Sequence, residues 1–167
     1  MIIYDFDQTI PSSHIFHATG GAAEVGEFED GFFIDAFGGE ERILRLQSHF
    51  FRLKNRGIEL LILSHGWSGG IMESLERTGL SEFFASENIF GNESDLMTQN
   101  RGEKHRAIQE LMRKRSLQFD QVLFIDDDWT VIEQCKNSET CRALHVEAEA
   151  GLTENELITI ENAFSPS

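Results

Sequence analysis

Runs of consecutive apolar residues alternate along this chain with segments in which apolar residues recur at helical spacing. The longest runs read MIIYDF, IELLILS and QVLFID. Continuous apolar runs of this length are typical of strands that are buried on both faces of a sheet. Two weaker segments, IF and RALHV, have the same character. We therefore predict five strands, at residues 1–6, 58–64, 88–90, 121–126 and 142–146.

The segments between these strands carry apolar residues at intervals of three and four, which predicts amphipathic helices. The predicted helices cover residues 40–55, 67–78, 103–115, 129–136 and 154–163. Gly57 and Gly79 stand just beyond two of them, where a helix usually ends. Buried strands that alternate with helices indicate a parallel sheet covered on both faces. The expected fold is α/β, a three-layer Rossmann-like arrangement around a central, mainly parallel five-stranded sheet.

Two segments lack a sustained period. Residues 11–39 are rich in glycine and aromatic residues, and we interpret them as a long loop or flap that contains a hairpin around residues 31–37. Long segments of this kind in compact domains are often functional. His14 and His17 lie in this segment without a Cys or a third His, which argues against a transition-metal site there. Residues 91–102 are polar, and we predict a loop.

Composition narrows the classes of partner. The chain has 167 residues, which suits one domain over residues 1–167, and a formal net charge of −15. So acidic a protein repels polyanions, which argues against nucleic acid and anionic membranes as main partners. No apolar run approaches the length of a membrane span, and the first residues do not resemble a secretory signal. Cys135 and Cys141 fit no common zinc or redox spacing, so we expect buried free thiols and a cytoplasmic protein.

Polar side chains follow three of the predicted strands. Asp5 and Asp7 come after the first, Ser64 after the second, and Asp126 with Asp127 ends the last long one. In open parallel sheets, ligands bind at the carboxyl ends of the strands. Clustered carboxylates without His or Cys favour a hard cation, and Mg²⁺ in such sites also holds phosphate oxygens.

The first acidic motif could instead be a calcium-binding loop. Such a loop needs Gly at its sixth position and Glu at its twelfth. Counted from Asp5, these positions hold Ile10 and Phe16. The motif therefore does not have the calcium-loop pattern.

In order and type, these residues resemble the motifs of the haloacid dehalogenase superfamily of phosphohydrolases. That family carries D-x-D-x-T after the first strand, Ser or Thr after the second, Lys before the fourth and paired acids after it. The matching residues here are DFDQT at 5–9, Ser64, Lys104 and Asp126 with Asp127. The resemblance covers residues 1 to about 146.

The resemblance implies a role for each of these positions. Asp5 would be the nucleophile that forms an aspartyl-phosphate, and Asp7 would protonate the leaving oxygen and then activate water. Mg²⁺ would contact Asp5, the backbone carbonyl of Asp7 and Asp126, with Asp127 either a ligand or a neighbour of one.

The resemblance also implies a phosphate-binding set. Thr9 would help to orient the phosphate and the loop, and Ser64 and Lys104 would hold the phosphoryl oxygens. His65, which follows Ser64, receives no necessary role.

The sequence departs from the family in two respects, one motif position and the length of the gaps between motifs. Gln8 replaces the glycine common at that place. The gaps between the motifs, 59 residues from Asp5 to Ser64 and 40 from Ser64 to Lys104, leave no room for a full cap domain. The chain is therefore similar to the capless branch, in which specificity would depend on residues 11–39.

The expected function is Mg²⁺-dependent hydrolysis of a phosphomonoester, with a phosphorylated small molecule or a phosphopeptide as substrate. Two alternatives stay open: a catalytically weak or idle binding or regulatory module, and a phospho-accepting signalling domain. A signalling domain of this kind also has an acid pair after the first strand, but its phosphorylated Asp follows the third strand. The D-x-D-x-T motif after the first strand therefore argues against it. The second Asp argues against dehalogenase activity.

Overall fold

The structure is a computed structural model that describes residues 1–147 and 150–164. Five strands form one sheet: β1 (Ile2–Tyr4), β2 (Leu60–Leu63), β3 (Ile89–Phe90), β4 (Leu123–Asp126) and β5 (Arg142–His145). The strand order is β3-β2-β1-β4-β5, and every neighbouring pair is parallel. The predicted parallel five-stranded sheet is therefore confirmed.

Helices cover both faces of this sheet. They are α1 (Ile15–Ala18), α2 (Asp30–Ala36), α3 (Glu40–Asn55), α4 (Ser68–Arg77), α5 (Asp95–Gln99), α6 (Lys104–Arg115), α7 (Trp129–Asn137) and α8 (Glu154–Asn162). Single 3₁₀ turns occur at Ser81–Phe83, Ser86–Asn88 and Phe119–Gln121. No helix in the described parts of the chain is long and apolar enough to cross a membrane.

Alternate residues of each strand enter two separate cores. Tyr4 of β1 and Ile62 of β2 pack with α3, α4 and α8. Ile3 and Leu61 point the other way and pack with α5, α6 and α7. This alternation is the two-residue period of a strand, and both of its faces are apolar because both are covered. The α/β three-layer architecture expected from the apolar runs is confirmed.

The segment 11–39 is the main place where the sequence-based prediction was wrong. Residues 31–37 lie in and just after helix α2 instead of forming a hairpin, and α1 lies between them and β1. Phe33, Ala36 and Phe37 are buried, and their spacing of three and four residues places them on one helical face. This period was obscured in the sequence by three glycines, at 31, 38 and 39, and by three closely spaced phenylalanines, at 32, 33 and 37.

The predicted loop at residues 91–102 also contains a helix. Ser94 caps α5 by accepting a hydrogen bond from the Met97 N–H at 3.3 Å, and Leu96 and Met97 are buried beneath the sheet. The helix has only five residues, so its apolar side is too short to produce a recognisable period in the sequence.

Arg42 of α3 ties three distant parts of the chain together. Its guanidinium donates to the carbonyl oxygens of Ile10 at 2.7 Å, Phe37 at 2.9 Å and Leu152 at 3.3 Å. Burial lowers the pKa of Arg42 to about 10, which leaves it charged at neutral pH. The turn after β1, the end of α2 and the segment before α8 are thereby held at one point.

A buried polar chain links β1 to the helices on one face. The Tyr4 hydroxyl lies 2.9 Å from Nε2 of His49, and Nδ1 of His49 lies 2.8 Å from the Glu161 carboxylate. A carboxylate only accepts hydrogen bonds, so Nδ1 carries the proton and Nε2 accepts from Tyr4. Tyr4 and His49 are both fully buried, so each needs this partner.

We expect Tyr4→Phe to destabilise the protein by about 1–3 kcal/mol, because it leaves Nε2 of His49 buried without a donor. The aromatic ring remains, so its edge-to-face contacts with Phe50 and Phe84 are kept. Urea denaturation of the two proteins measures the difference in free energy of unfolding. A variant as stable as the wild type would contradict this account of the Tyr4 hydroxyl.

The same chain predicts a pH dependence of stability. Burial lowers the pKa of His49 below its ordinary 6.5, although Glu161 opposes this and nearby Arg52 adds to it. The folded protein therefore binds a proton at His49 less readily than the unfolded chain does. Stability from this residue is complete above pH 6.5 and is lost as the pH falls below it, with a slope of at most about 1.4 kcal/mol per pH unit.

His49→Gln is the matched control for this titration, because an amide has a donor and an acceptor but no charge in this range. Denaturation curves between about pH 5 and pH 8 should show the wild type losing stability relative to His49→Gln as the pH falls. A constant difference across this range would contradict the pH effect.

Candidate active site

Three strand ends bring the predicted chemical groups to one edge of the sheet. Asp5 follows β1, Ser64 follows β2, and Asp126 is the last residue of β4. The Asp5 N–H donates to the Ile125 carbonyl at 2.7 Å, and the Ser64 N–H donates to the Phe90 carbonyl at 3.0 Å. These bonds continue the strand pairing by one residue, so the side chains beyond them project from fixed backbone.

Lys104 joins two of these strand ends. It is the first residue of α6, and its Nζ donates to Oδ1 of Asp5 at 2.6 Å and to Oδ2 of Asp126 at 2.7 Å. Asp126 is further fixed through Oδ1, which accepts from the Asp128 N–H at 2.8 Å. Lys104, Asp5 and Asp126 are at most 5% exposed. The three charges therefore interact away from bulk water.

Burial controls the titration of this group. It raises the pKa of Asp5 and of Asp126 to about 6, although Lys104 opposes the shift in both. Burial alone would lower the pKa of Lys104, but the two carboxylates outweigh it and hold that pKa above its usual value. The lysine is therefore charged, while the carboxylates carry more negative charge than one lysine offsets.

Asp127 adds a third carboxylate. Oxygen atoms of Asp5, Asp126 and Asp127 all lie within 4.8 Å of one another. Asp127 is half-buried, and its pKa is raised by burial and by Asp126. A divalent cation would fit the charge and the chemistry of these three oxygens, because Mg²⁺ prefers carboxylate ligands. Asp7 contributes no carboxylate to this group, and the predicted role of its backbone carbonyl stays a prediction.

The side chain of Asp7 is held by α1 instead. Its Oδ1 accepts from the Ile15 N–H at 2.7 Å and from the Phe16 N–H at 3.3 Å. Its Oδ2 lies 3.2 Å from Nδ1 of His14. Burial raises the pKa of Asp7, although the two backbone donors oppose it. Asp7 is thus a fixed carboxyl group that retains a proton more readily than an exposed one.

These groups open onto one cavity of about 340 Å³. Its floor contains the predicted catalytic, phosphate-binding and metal residues except Thr9, namely Asp5, Asp7, Ser64, Lys104, Asp126 and Asp127. Ser64 is oriented by the Gly66 N–H, which donates to its hydroxyl at 3.1 Å. The sequence motifs therefore meet in space as the strand-end rule predicts.

Thr9 is the exception, and the prediction that it binds phosphate is not supported. Its side chain is fully buried, it does not line the cavity, and its hydroxyl has no hydrogen-bond partner in the described residues. The chain turns at Gln8, which has a φ of +55°, the left-handed conformation that favours glycine. This turn directs Thr9 away from the cavity, and its carbonyl accepts from the Leu152 N–H at 3.0 Å.

Residues that the sequence motifs did not identify also line the cavity. Segment 11–39 contributes His14, Phe16 and His17, and the end of β2 contributes His65. The imidazole rings of His14 and His17 are 3.9 Å apart between centroids. Burial and His17 lower the pKa of His14, which favours the neutral imidazole. The signals in the sequence were the expected functional role of segment 11–39 for the first three residues and the position next to Ser64 for His65.

The fold is similar to those of three solved proteins, two of them described as haloacid dehalogenase-like or HAD proteins and one as a phosphatase. A haloacid dehalogenase-like family hydrolase from Streptococcus pneumoniae is 15% identical, with a TM-score of 0.52, over 95% of this chain and 89% of that one. The HAD domain of effector protein Lem4 from Legionella pneumophila is 16% identical, with a TM-score of 0.53, over 98% and 97%. A substrate-bound phosphoserine phosphatase is 15% identical, with a TM-score of 0.51, over 95% and 96%.

A larger protein, DsGPDH of Dunaliella salina, is 16% identical with a TM-score of 0.55. That match covers 93% of this chain, which spans only 25% of the length of DsGPDH. No protein-family model matches the sequence, and no curated protein matches it significantly. The structural likeness, at identities of 15–16%, concerns the fold. The chain has the fold of the haloacid dehalogenase superfamily.

Proposed function

We propose that this protein is a Mg²⁺-dependent phosphomonoester hydrolase that works through an aspartyl-phosphate on Asp5. The observation that carries the proposal is the pairing of two different carboxyl groups in one cavity. Asp5 is held by Lys104 in a polar, charged cluster, whereas Asp7 is held by backbone N–H groups away from that cluster. Two carboxyl groups in unlike surroundings suit the roles of nucleophile and acid.

In the first step, an oxygen of Asp5 attacks phosphorus and the bond between phosphorus and the ester oxygen breaks. The leaving oxygen keeps that electron pair and takes the proton of Asp7. In the second step, water attacks the phosphorus of the aspartyl-phosphate while Asp7 takes a proton from that water. The acyl phosphate bond then breaks at phosphorus, which releases inorganic phosphate and restores the Asp5 carboxylate.

The other residues of the cavity hold the phosphoryl group during these steps. Lys104 donates to one oxygen of Asp5, which orients the carboxylate for attack and places a positive charge beside the incoming phosphate. The Ser64 hydroxyl, buried at the end of β2, supplies a hydrogen bond to a phosphoryl oxygen. Fixed donors of this kind stabilise charge in the transition state without having to reorganise.

The charge balance supports a divalent cation in this cavity. Three carboxylates against one ammonium group leave an excess of two negative charges. Burial raises the pKa values of Asp5 and Asp126, and a neighbouring carboxylate adds to each shift. Asp5, Asp126 and Asp127 would hold Mg²⁺. Bound there, the ion would neutralise this excess and draw negative charge from a phosphoryl oxygen.

The substrate is proposed to be a phosphorylated small molecule or a phosphopeptide. The capless architecture and a single domain over residues 1–167 stay predictions.

We expect Asp5→Asn to reduce hydrolysis of 4-nitrophenyl phosphate in Mg²⁺ by about a thousandfold or more, because an amide oxygen is a poor nucleophile. The matched control is Asp120→Asn, the same change at an exposed residue that precedes β4 at the opposite end of the sheet. Release of the nitrophenolate measures both rates.

Equal rates for the wild type and Asp5→Asn would overturn the proposal. A stable phosphorylated protein that does not turn over would instead favour the signalling domain. Absence of both turnover and metal binding in the wild type would favour the idle module.

A metal requirement gives a second test. We expect EDTA to abolish turnover, added Mg²⁺ to restore it, and Asp127→Asn to raise the Mg²⁺ concentration needed for half-maximal activity by about tenfold or more. Titration of activity against Mg²⁺ measures this shift, with Asp120→Asn again as the control. Activity that persists in EDTA would contradict the proposed role of the three carboxylates.

A further inference from the structure

The two oxygen atoms of the Asp7 carboxyl have different partners. Oδ1 accepts from two backbone N–H groups, those of Ile15 and Phe16. An oxygen that already accepts two hydrogen bonds is a poor place for an acidic proton. The proton that Asp7 transfers in the proposed reaction therefore resides on Oδ2, and the group that faces Oδ2 decides where that proton points.

His14 is the group that faces Oδ2. Its Nδ1 lies 3.2 Å from Oδ2, although the imidazole side chain as a whole is 37% exposed. Nδ1 itself is buried and makes no hydrogen bond of good geometry within the described residues. A buried polar atom without a partner is costly, and a small rotation of either side chain would turn this close approach into a hydrogen bond.

The position of the His14 ring is restricted by its neighbours. The His17 ring packs against it with the ring centroids 3.9 Å apart and the ring planes tilted by 46°, and Phe16 packs against His17 at 5.8 Å. All three side chains line the same cavity as Asp7. The ring therefore approaches Asp7 from a defined direction.

We propose that His14 is a positioning residue for the acid Asp7. Its Nδ1–H donates to a lone pair on one side of Oδ2. The transferable proton on Oδ2 then points to the other side, into the cavity. The inference rests on the proposed phosphatase function. It concerns how the leaving oxygen is protonated, whereas nucleophilic attack by Asp5 does not depend on it.

The test compares two substrates of nearly equal shape. Phenyl phosphate releases a basic phenolate that needs a proton, whereas 4-nitrophenyl phosphate releases a weakly basic nitrophenolate that needs little help. The quantity compared is kcat/KM, which reports only the steps up to departure of the leaving group. The later hydrolysis of the aspartyl-phosphate, which is common to both substrates, therefore does not enter.

We expect His14→Ala to lower kcat/KM for phenyl phosphate by about tenfold, part of the usual contribution of a general acid, and for 4-nitrophenyl phosphate by less than about threefold. Asp7→Asn is the reference variant, because it removes the acid itself. It should lower kcat/KM for phenyl phosphate more than His14→Ala does, with the same preference between the two substrates. His14→Asn places an amide N–H near the position of Nδ1 and should restore most of the phenyl phosphate activity. His14→Phe keeps a ring against His17 without a donor and should behave like His14→Ala.

The role of His14 would be overturned if His14→Ala lost activity equally on both substrates, or lost none on either. Equal activity of His14→Phe and His14→Asn would also overturn it. A variant that simply folds poorly would lose activity on both substrates alike, and circular dichroism of each variant identifies it. Selective loss in Asp7→Asn without selective loss in the His14 variants would leave the phosphatase proposal intact and refute this inference alone. A wild type that hydrolyses neither substrate would overturn both.

Discussion

The hydrogen bonds from Lys104 to Asp5 and Asp126 are the interaction on which the candidate active site depends. β1 and β4 are neighbours in the sheet, so Asp5, just after β1, and Asp126, at the end of β4, place two carboxylates side by side and out of water. Two buried like charges would repel each other strongly without a cation between them. Lys104 provides it from the first residue of α6, and this fixes the start of that helix against the sheet edge.

One lysine does not complete the charge balance. Burial still raises the pKa values of Asp5 and Asp126 to about 6 with Lys104 in place, and Asp127 adds a further carboxylate beside them. Lys104 therefore offsets part of the repulsion between the carboxylates, and the net negative charge that remains attracts a further cation. Under the proposed function, an anionic phosphate would meet Lys104 and a cation rather than carboxylates alone, so the acidity of the protein is compatible with such a substrate.

The sequence was sufficient for the parts of this site that depend on local pattern and on the geometry of parallel sheets. Apolar runs identified the strands, and the strand-end rule brought Asp5, Ser64 and Asp126 together before any contact was known. Lys104 needed more, because a lysine at the start of a helix is ordinarily exposed. A family resemblance placed it at the site, and its hydrogen bonds to Asp5 and Asp126 show that it lies there. Its predicted contact with phosphoryl oxygens stays a prediction.

Long-range contacts explain what the sequence could not predict in residues 11–39. The Trp67 indole donates to the Gly21 carbonyl, and Arg77 pairs with Asp30, so both ends of helix α4 hold parts of this segment in place. Neither contact leaves a periodic trace in the sequence. The burial of Thr9 has a similar cause, since it follows from the left-handed turn at Gln8 and the bond to Leu152 rather than from the motif.

The carboxyl group of Asp7 and part of the cavity wall are held by the same short segment. The backbone that holds Oδ1 of Asp7 belongs to α1, the same short helix that presents Phe16 and His17 to the cavity. A shift of this segment to accommodate a different leaving group would also move the donors on Asp7. In the proposed reaction, selection of the leaving group and alignment of its proton donor would therefore be coupled through residues 14–17, whereas Asp5 and Lys104 are fixed independently by the sheet and α6.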